Sequence, residues 1–102
     1  MRILVIDDEE RIQEVIQISL EILNGWEIFT ASSGSEGLLK AQNHQPDAIL
    51  LDVSMPEMDG FATLEKLRSN STTQAIPVIF LTAKVQLADR QRFAELGLAG
   101  VI

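Results

Sequence analysis

Three short aliphatic runs constrain this chain more than any other feature, because each ends on an acidic or hydroxyl side chain. Ile3-Leu4-Val5-Ile6 leads to Asp7-Asp8, Ala48-Ile49-Leu50-Leu51 to Asp52, and Val78-Ile79-Phe80-Leu81 to Thr82. Strands covered on both faces of a parallel sheet read as unbroken apolar runs of this kind. Ligands of such sheets collect beyond the carboxyl ends of the strands. If the three runs are neighbours, three carboxylates and a hydroxyl converge on one edge.

Between the runs the apolar period lengthens. Ile12, Ile16, Leu20 and Leu23 recur at helical spacing, with Val15 and Ile22 widening the stripe, until Asn24-Gly25 ends the helix. Residues 26–31 are short and partly alternating, as in an edge strand. Ser33 followed by Glu36 reads as a capping box, opening a helix through Leu38, Leu39 and Ala41 that Pro46-Asp47 closes. Residues 55–59, with Pro56, read as a loop. Gly60 then leads into a helix with Phe61, Leu64 and Leu67 on one side. Residues 69–75 are the most linker-like stretch, yet short enough for an ordinary surface loop. Pro77 stands near the start of the third run, where a strand tolerates it. A weaker helical pattern follows through Leu87, Ala88, Gln91, Ala94 and Glu95, with Phe93 and Leu96 on its apolar face. Gly97 ends it, and residues 98–102 begin a fifth strand.

The order βαβαβαβαβ predicts an α/β fold built on a parallel sheet with right-handed crossovers. A doubly wound five-stranded sheet of flavodoxin-like order 2-1-3-4-5 sets strands 1, 3 and 4 side by side, which are the three runs. The expectation is one domain over residues 1–102, and its 46% hydrophobic content fits a compact globule. The net charge of -7 argues against direct nucleic-acid binding, which calls for clustered Lys and Arg. The absence of cysteine excludes disulfides, zinc–thiolate sites and thiol nucleophiles. No apolar stretch approaches the roughly 20 residues of a membrane span, and the N-terminus lacks the layout of a signal peptide. A cytoplasmic protein without membrane contact is expected.

Carboxylates gathered at one edge resist joint ionisation, and a hard cation removes the repulsion. Magnesium suits one or two carboxylates, a main-chain carbonyl, and waters or phosphate oxygens. A carboxylate beside it can attack phosphorus and form an aspartyl phosphate, with the Thr82 hydroxyl available to a phosphoryl oxygen. Each residue alone has a plainer reading. An Asp at a strand end is usually a cap or turn residue, Asp7-Asp8-Glu9-Glu10 suits an acidic helix N-terminus, and Thr82-Ala83 by itself means little. Their joint occurrence at three strand ends favours a site.

At this point the residues resemble the receiver domain of two-component response regulators. The segment Leu50-Leu51-Asp52-Val53-Ser54-Met55-Pro56-Glu57-Met58-Asp59-Gly60 is similar to the family's phosphorylation loop. Ile6-Asp7-Asp8-Glu9 is similar to its acidic pair, and Phe80-Leu81-Thr82-Ala83-Lys84 to its hydroxyl switch segment. The resemblance implies that Asp52 accepts a phosphoryl group from a sensor histidine kinase or histidine phosphotransfer protein. It implies a magnesium ion on Asp52, on Asp8 directly, on Asp7 through water and on the main-chain carbonyl of Ser54. Thr82 would be the switch hydroxyl, and Ser54 and Lys84 match positions that tune the lifetime of the phosphoryl group, with Lys84 a candidate for direct contact with it. A downstream partner or an output domain would read the switch.

Two departures from the pattern stand out. The family Lys after the fifth strand and the final helix do not appear within the 102 residues, and the family's switch aromatic falls on Val101. Phe93 is not assigned that role. A sheet face left open in this way leads to an expectation of self-association. The leading functional reading is a phosphoacceptor signalling domain that promotes only its own phosphorylation and dephosphorylation and is otherwise no enzyme. The alternatives are a phosphorylation-independent binding scaffold and, less well supported, a magnesium phosphohydrolase. The haloacid-dehalogenase pattern fits poorly, because Ser54 rather than an acid follows Asp52 at the second position.

Overall fold

The structure, a computed structural model, describes residues 1–55, 58–81 and 100–101. Each aliphatic run is a strand: β1 (Arg2–Ile6), β3 (Ala48–Asp52) and β4 (Val78–Leu81), with β2 at Glu27–Ala31 and β5 at Gly100–Val101. All neighbours pair in parallel, in the order β2-β1-β3-β4-β5. This is the doubly wound order that the alternation of strand and helix implies. The expected helix around Leu87 and Phe93, and the expected switch hydroxyl and phosphate contact at Thr82 and Lys84, lie outside the described residues.

Register decides where the acids emerge. Ile6 stands opposite both Ala31 and Leu51, and Asp52 stands opposite Leu81. Asp7 and Asp52, each one step beyond the Ile6–Leu51 pair, therefore leave the sheet at the same level.

Alternation along β1 splits the core in two. Leu4 and Ile6 pack with Ile49, Leu51, Val78 and Phe80 beneath α2 (Gly34–His44) and α3 (Gly60–Ser69), where Ala41, Phe61, Leu64 and Leu67 close the layer. The Phe61 and Phe80 rings meet edge to face, 5.4 Å between centroids. Ile3, Val5 and Ile28 face the other way, against Ile16 and Leu20 of α1 (Glu10–Asn24) and Trp26. On that side Ala48, Leu50 and Leu81 are only partly buried. Each fully buried aliphatic side chain stabilises the fold by about 1.5–3 kcal/mol.

The α1 stripe is narrower than the sequence implies. Val15 and Ile22 are 63% and 75% exposed, because successive residues turn about 100° and these two point away from the side carrying Ile16 and Leu20. Gln13 takes a core-side place instead, only 8% exposed. The helix ends as expected: Gly25 adopts a left-handed φ of 68°, and its N–H donates to the Glu21 carbonyl at 2.9 Å.

At the start of α2, the Ser33 hydroxyl accepts the Glu36 N–H at 3.1 Å. The reciprocal bond differs from a standard capping box, since the Glu36 carboxylate accepts the N–H of Ser32 at 2.8 Å. At its other end Gln45 is left-handed, with φ 47°. The following Pro46 disfavours a further helical residue, and the Gln45 side-chain amide donates to the carbonyls of Ala41 and Gln42. The ammonium of Lys40 donates to the Thr30 carbonyl of β2 and pairs with Glu36 at 3.1 Å.

Residues 69–77 are tightly bonded. The buried Thr73 hydroxyl donates to the Leu67 carbonyl at 2.7 Å, and Arg68 donates to the carbonyls of Gln74 and Ile76. Among the described residues, no helix is long and apolar enough to cross a membrane.

Candidate functional site

β1 and β3 deliver the acids, and the turns after them aim the carboxylates. The Asp7 N–H extends the ladder to the Ala31 carbonyl at 3.0 Å. Its Oδ1 then accepts the Glu9 N–H at 2.9 Å. The same turn recurs after β3, where Asp52 Oδ1 accepts the Ser54 N–H at 3.1 Å. A carboxylate bonded to the amide two residues on is a compact local turn that leaves its second oxygen free to act elsewhere.

Oxygens of Asp7, Asp8 and Asp52 all lie within 4.8 Å of one another, with Asp7 buried, Asp52 half-buried and Asp8 exposed. Burial raises the Asp52 pKa to about 6; the bond from Ser54 opposes the shift, and the charge of Asp7 and the hydrogen bond and charge of Asp8 reinforce it. Burial also raises Asp7, against the Glu9 bond and with Asp8 and Glu9 adding repulsion. Among the described residues the cluster is thus short of positive charge. Three hard oxygen donors, two of them partly desolvated, fit a small divalent cation such as magnesium and offer nothing to a soft metal.

The structure brings together the three sequence-predicted acids and seats Ser54 beside Asp52. Leu81 pairs with Asp52 at the end of β4, whereas Thr82 and Lys84 lie outside the described residues. Sequence reasoning missed Gln13, whose side-chain amide donates to the Asp7 carbonyl at 2.6 Å. Its spacing three positions before Ile16 is a partial signal, but the carbonyls that hold it belong to other segments.

The pattern of the response regulator receiver domain matches residues 3–102. The alkaline phosphatase synthesis transcriptional regulatory protein PhoP of Bacillus subtilis is 42% identical over 96 residues, covering 94% of this chain and 39% of that protein. The chain therefore spans about two fifths of the length of that curated relative. Among solved structures, the chemotaxis protein CheY4 of Vibrio cholerae superposes with a TM-score of 0.93 at 32% identity, over 99% of this chain and 83% of that one. The receiver domain of a sensor histidine kinase from Pseudomonas aeruginosa superposes at 0.87 with 28% identity, over 99% and 82%. That structure has a magnesium ion coordinated in its active-site cleft.

Proposed function

Because this chain belongs to the response regulator receiver family of two-component systems, we propose that it accepts a phosphoryl group on Asp52 in a magnesium-dependent reaction. The carrying observation is the gathering of Asp7, Asp8 and Asp52 oxygens within 4.8 Å at the carboxyl edge of the sheet. Asp8 and Asp52, with the Ser54 carbonyl, would hold the cation, and Asp7 would support it. The cation, when bound, supplies charge neutralisation at the phosphoryl oxygens.

The chain's own residues do the rest. The Ser54 N–H fixes one oxygen of Asp52, which leaves the other to form the new O–P bond. The P–N bond of a donor phosphohistidine breaks as that bond forms, and the released imidazole takes a proton from solvent. Thr82 is the proposed hydroxyl partner of the bound group, and Lys84 a proposed contact to it. The donor is a sensor histidine kinase or histidine phosphotransfer protein, and the output is a protein partner or attached domain.

Incubation with a phosphohistidine donor and magnesium should give a hydroxylamine-sensitive label on the peptide carrying Asp52, lost in Asp52→Asn. Absence of label with a competent donor overturns the proposal. No NMR response to magnesium and beryllofluoride would favour the phosphorylation-independent scaffold instead.

A further inference from the structure

Where β1 stops, the carbonyl of Asp7 still needs a donor. Gln13, in the first turns of α1, supplies it. Its Nε2 donates to the Asp7 carbonyl at 2.6 Å, to the Ala31 carbonyl at 3.2 Å and to the Ser32 hydroxyl at 3.1 Å. Carbonyls only accept, so the NH2 end of the amide must face them and its orientation is forced. Asp7 is therefore tied at both backbone groups, its N–H to Ala31 at 3.0 Å and its carbonyl to Gln13. The peptide unit is planar, so fixing that carbonyl also fixes the N–H of Asp8 and the direction in which its Cα departs.

We infer that Gln13 is a positioning residue for the acidic site, its side-chain amide holding the Asp7–Asp8 peptide so that both carboxylates can share a dication with Asp52. The inference rests on the proposed reading of the site as cation-binding. Gln13 acts through the backbone of Asp7, much as outer partners orient the ligands of a metal; loss of such partners commonly weakens metal binding about 10–100-fold.

Gln13→Met keeps the length of the side chain and removes its donors. Calorimetry, or NMR titration of the Asp8 amide, should show magnesium binding about 10–100-fold weaker than in the parent. Thr73→Val is the matched control, because it removes a buried hydroxyl bonded to Leu67 at the opposite end of α3. It should keep the parent's affinity. Parent-like affinity in Gln13→Met overturns the inference, as does an equal loss in Thr73→Val.

If Gln13→Met does not fold, the parent provides the readout. The side-chain amide protons of Gln13 should shift with the same magnesium midpoint as the Asp8 amide, and stationary resonances overturn the inference. A parent that binds no magnesium defeats the reading of the site and this inference with it. Binding by the parent together with an unaffected Gln13→Met defeats the inference alone.

Discussion

Gly60 and Asp52 are in such close approach that a Cβ on Gly60 would sit 2.5 Å from the Asp52 carbonyl oxygen and 2.8 Å from the Cα of Val53. The Gly60 N–H also donates to the Val53 carbonyl at 2.9 Å, so the first turn of α3 lies directly on the strand end carrying the proposed acceptor carboxylate. Backbone atoms cannot swing aside as a side-chain tip can. Gly60→Ala should cost about 1–3 kcal/mol, read as a lower denaturant midpoint, and should lower labelling of Asp52 in the fraction that folds.

The Asp52 carboxyl links stability to pH. Its pKa is about 6 in the fold against an ordinary 3.8, so between these values the folded form holds more protons than the unfolded. Stability without a dication is therefore full below about pH 4, falls as pH rises through about 6, and levels off above. Asp7, raised for the same first reason, adds to the fall. The Asp52 shift corresponds to at most about 3 kcal/mol, and to about 1–2 kcal/mol once solvent screening of this half-buried group is allowed for. Thermal melts in chelator should show this slope in the parent and a flatter profile in Asp52→Asn. Magnesium at ten times its Kd should restore about 1.4 kcal/mol to the parent at neutral pH.

Exposure separates the residues of α1 into two energetic classes. Val15→Ser and Ile22→Ser remove apolar groups that are already largely in water, and each should change stability by less than about 0.5 kcal/mol. Leu20→Ala, cut from the layer against Ile3 and Val5, should cost roughly 1–3 kcal/mol. Denaturant titration of the three variants checks the division, and a large loss in Val15→Ser would contradict it.

Ser33 bonds the Glu36 N–H at the start of α2. Ser33→Ala should cost about 1 kcal/mol, with amide exchange accelerated in the first turn of α2 more than in β3.

The strands and their order were legible because buried parallel strands demand continuous aliphatic runs, and the acids could be placed because two of those runs stop on them. Helix ends were legible wherever chemistry dictates them, at Gly25, at Ser33 and at Pro46. The faces of α1 were less so. Val15 and Ile22 are as apolar as Ile16, and only the sheet decides which side it covers; the buried place of Gln13 depends on carbonyls of Asp7 and Ala31 that lie on two other segments. The left-handed Gln45 was hidden for a similar reason, because Gln carries no local preference for that conformation. The shifted capping bond from Glu36 to Ser32 turns on a geometric difference of one residue that sequence spacing cannot resolve.

Lys40 has a consequence for what the sheet refuses to do. Residues 27 and 31 of β2 bond inward to the β1 side, so by alternation Thr30 turns its carbonyl outward, along the margin where a foreign chain could add itself as another strand. The Lys40 ammonium occupies that acceptor and puts a charge that an incoming backbone would have to desolvate. The margin nearest the N-terminal half is thereby guarded against recruitment into an intermolecular ribbon.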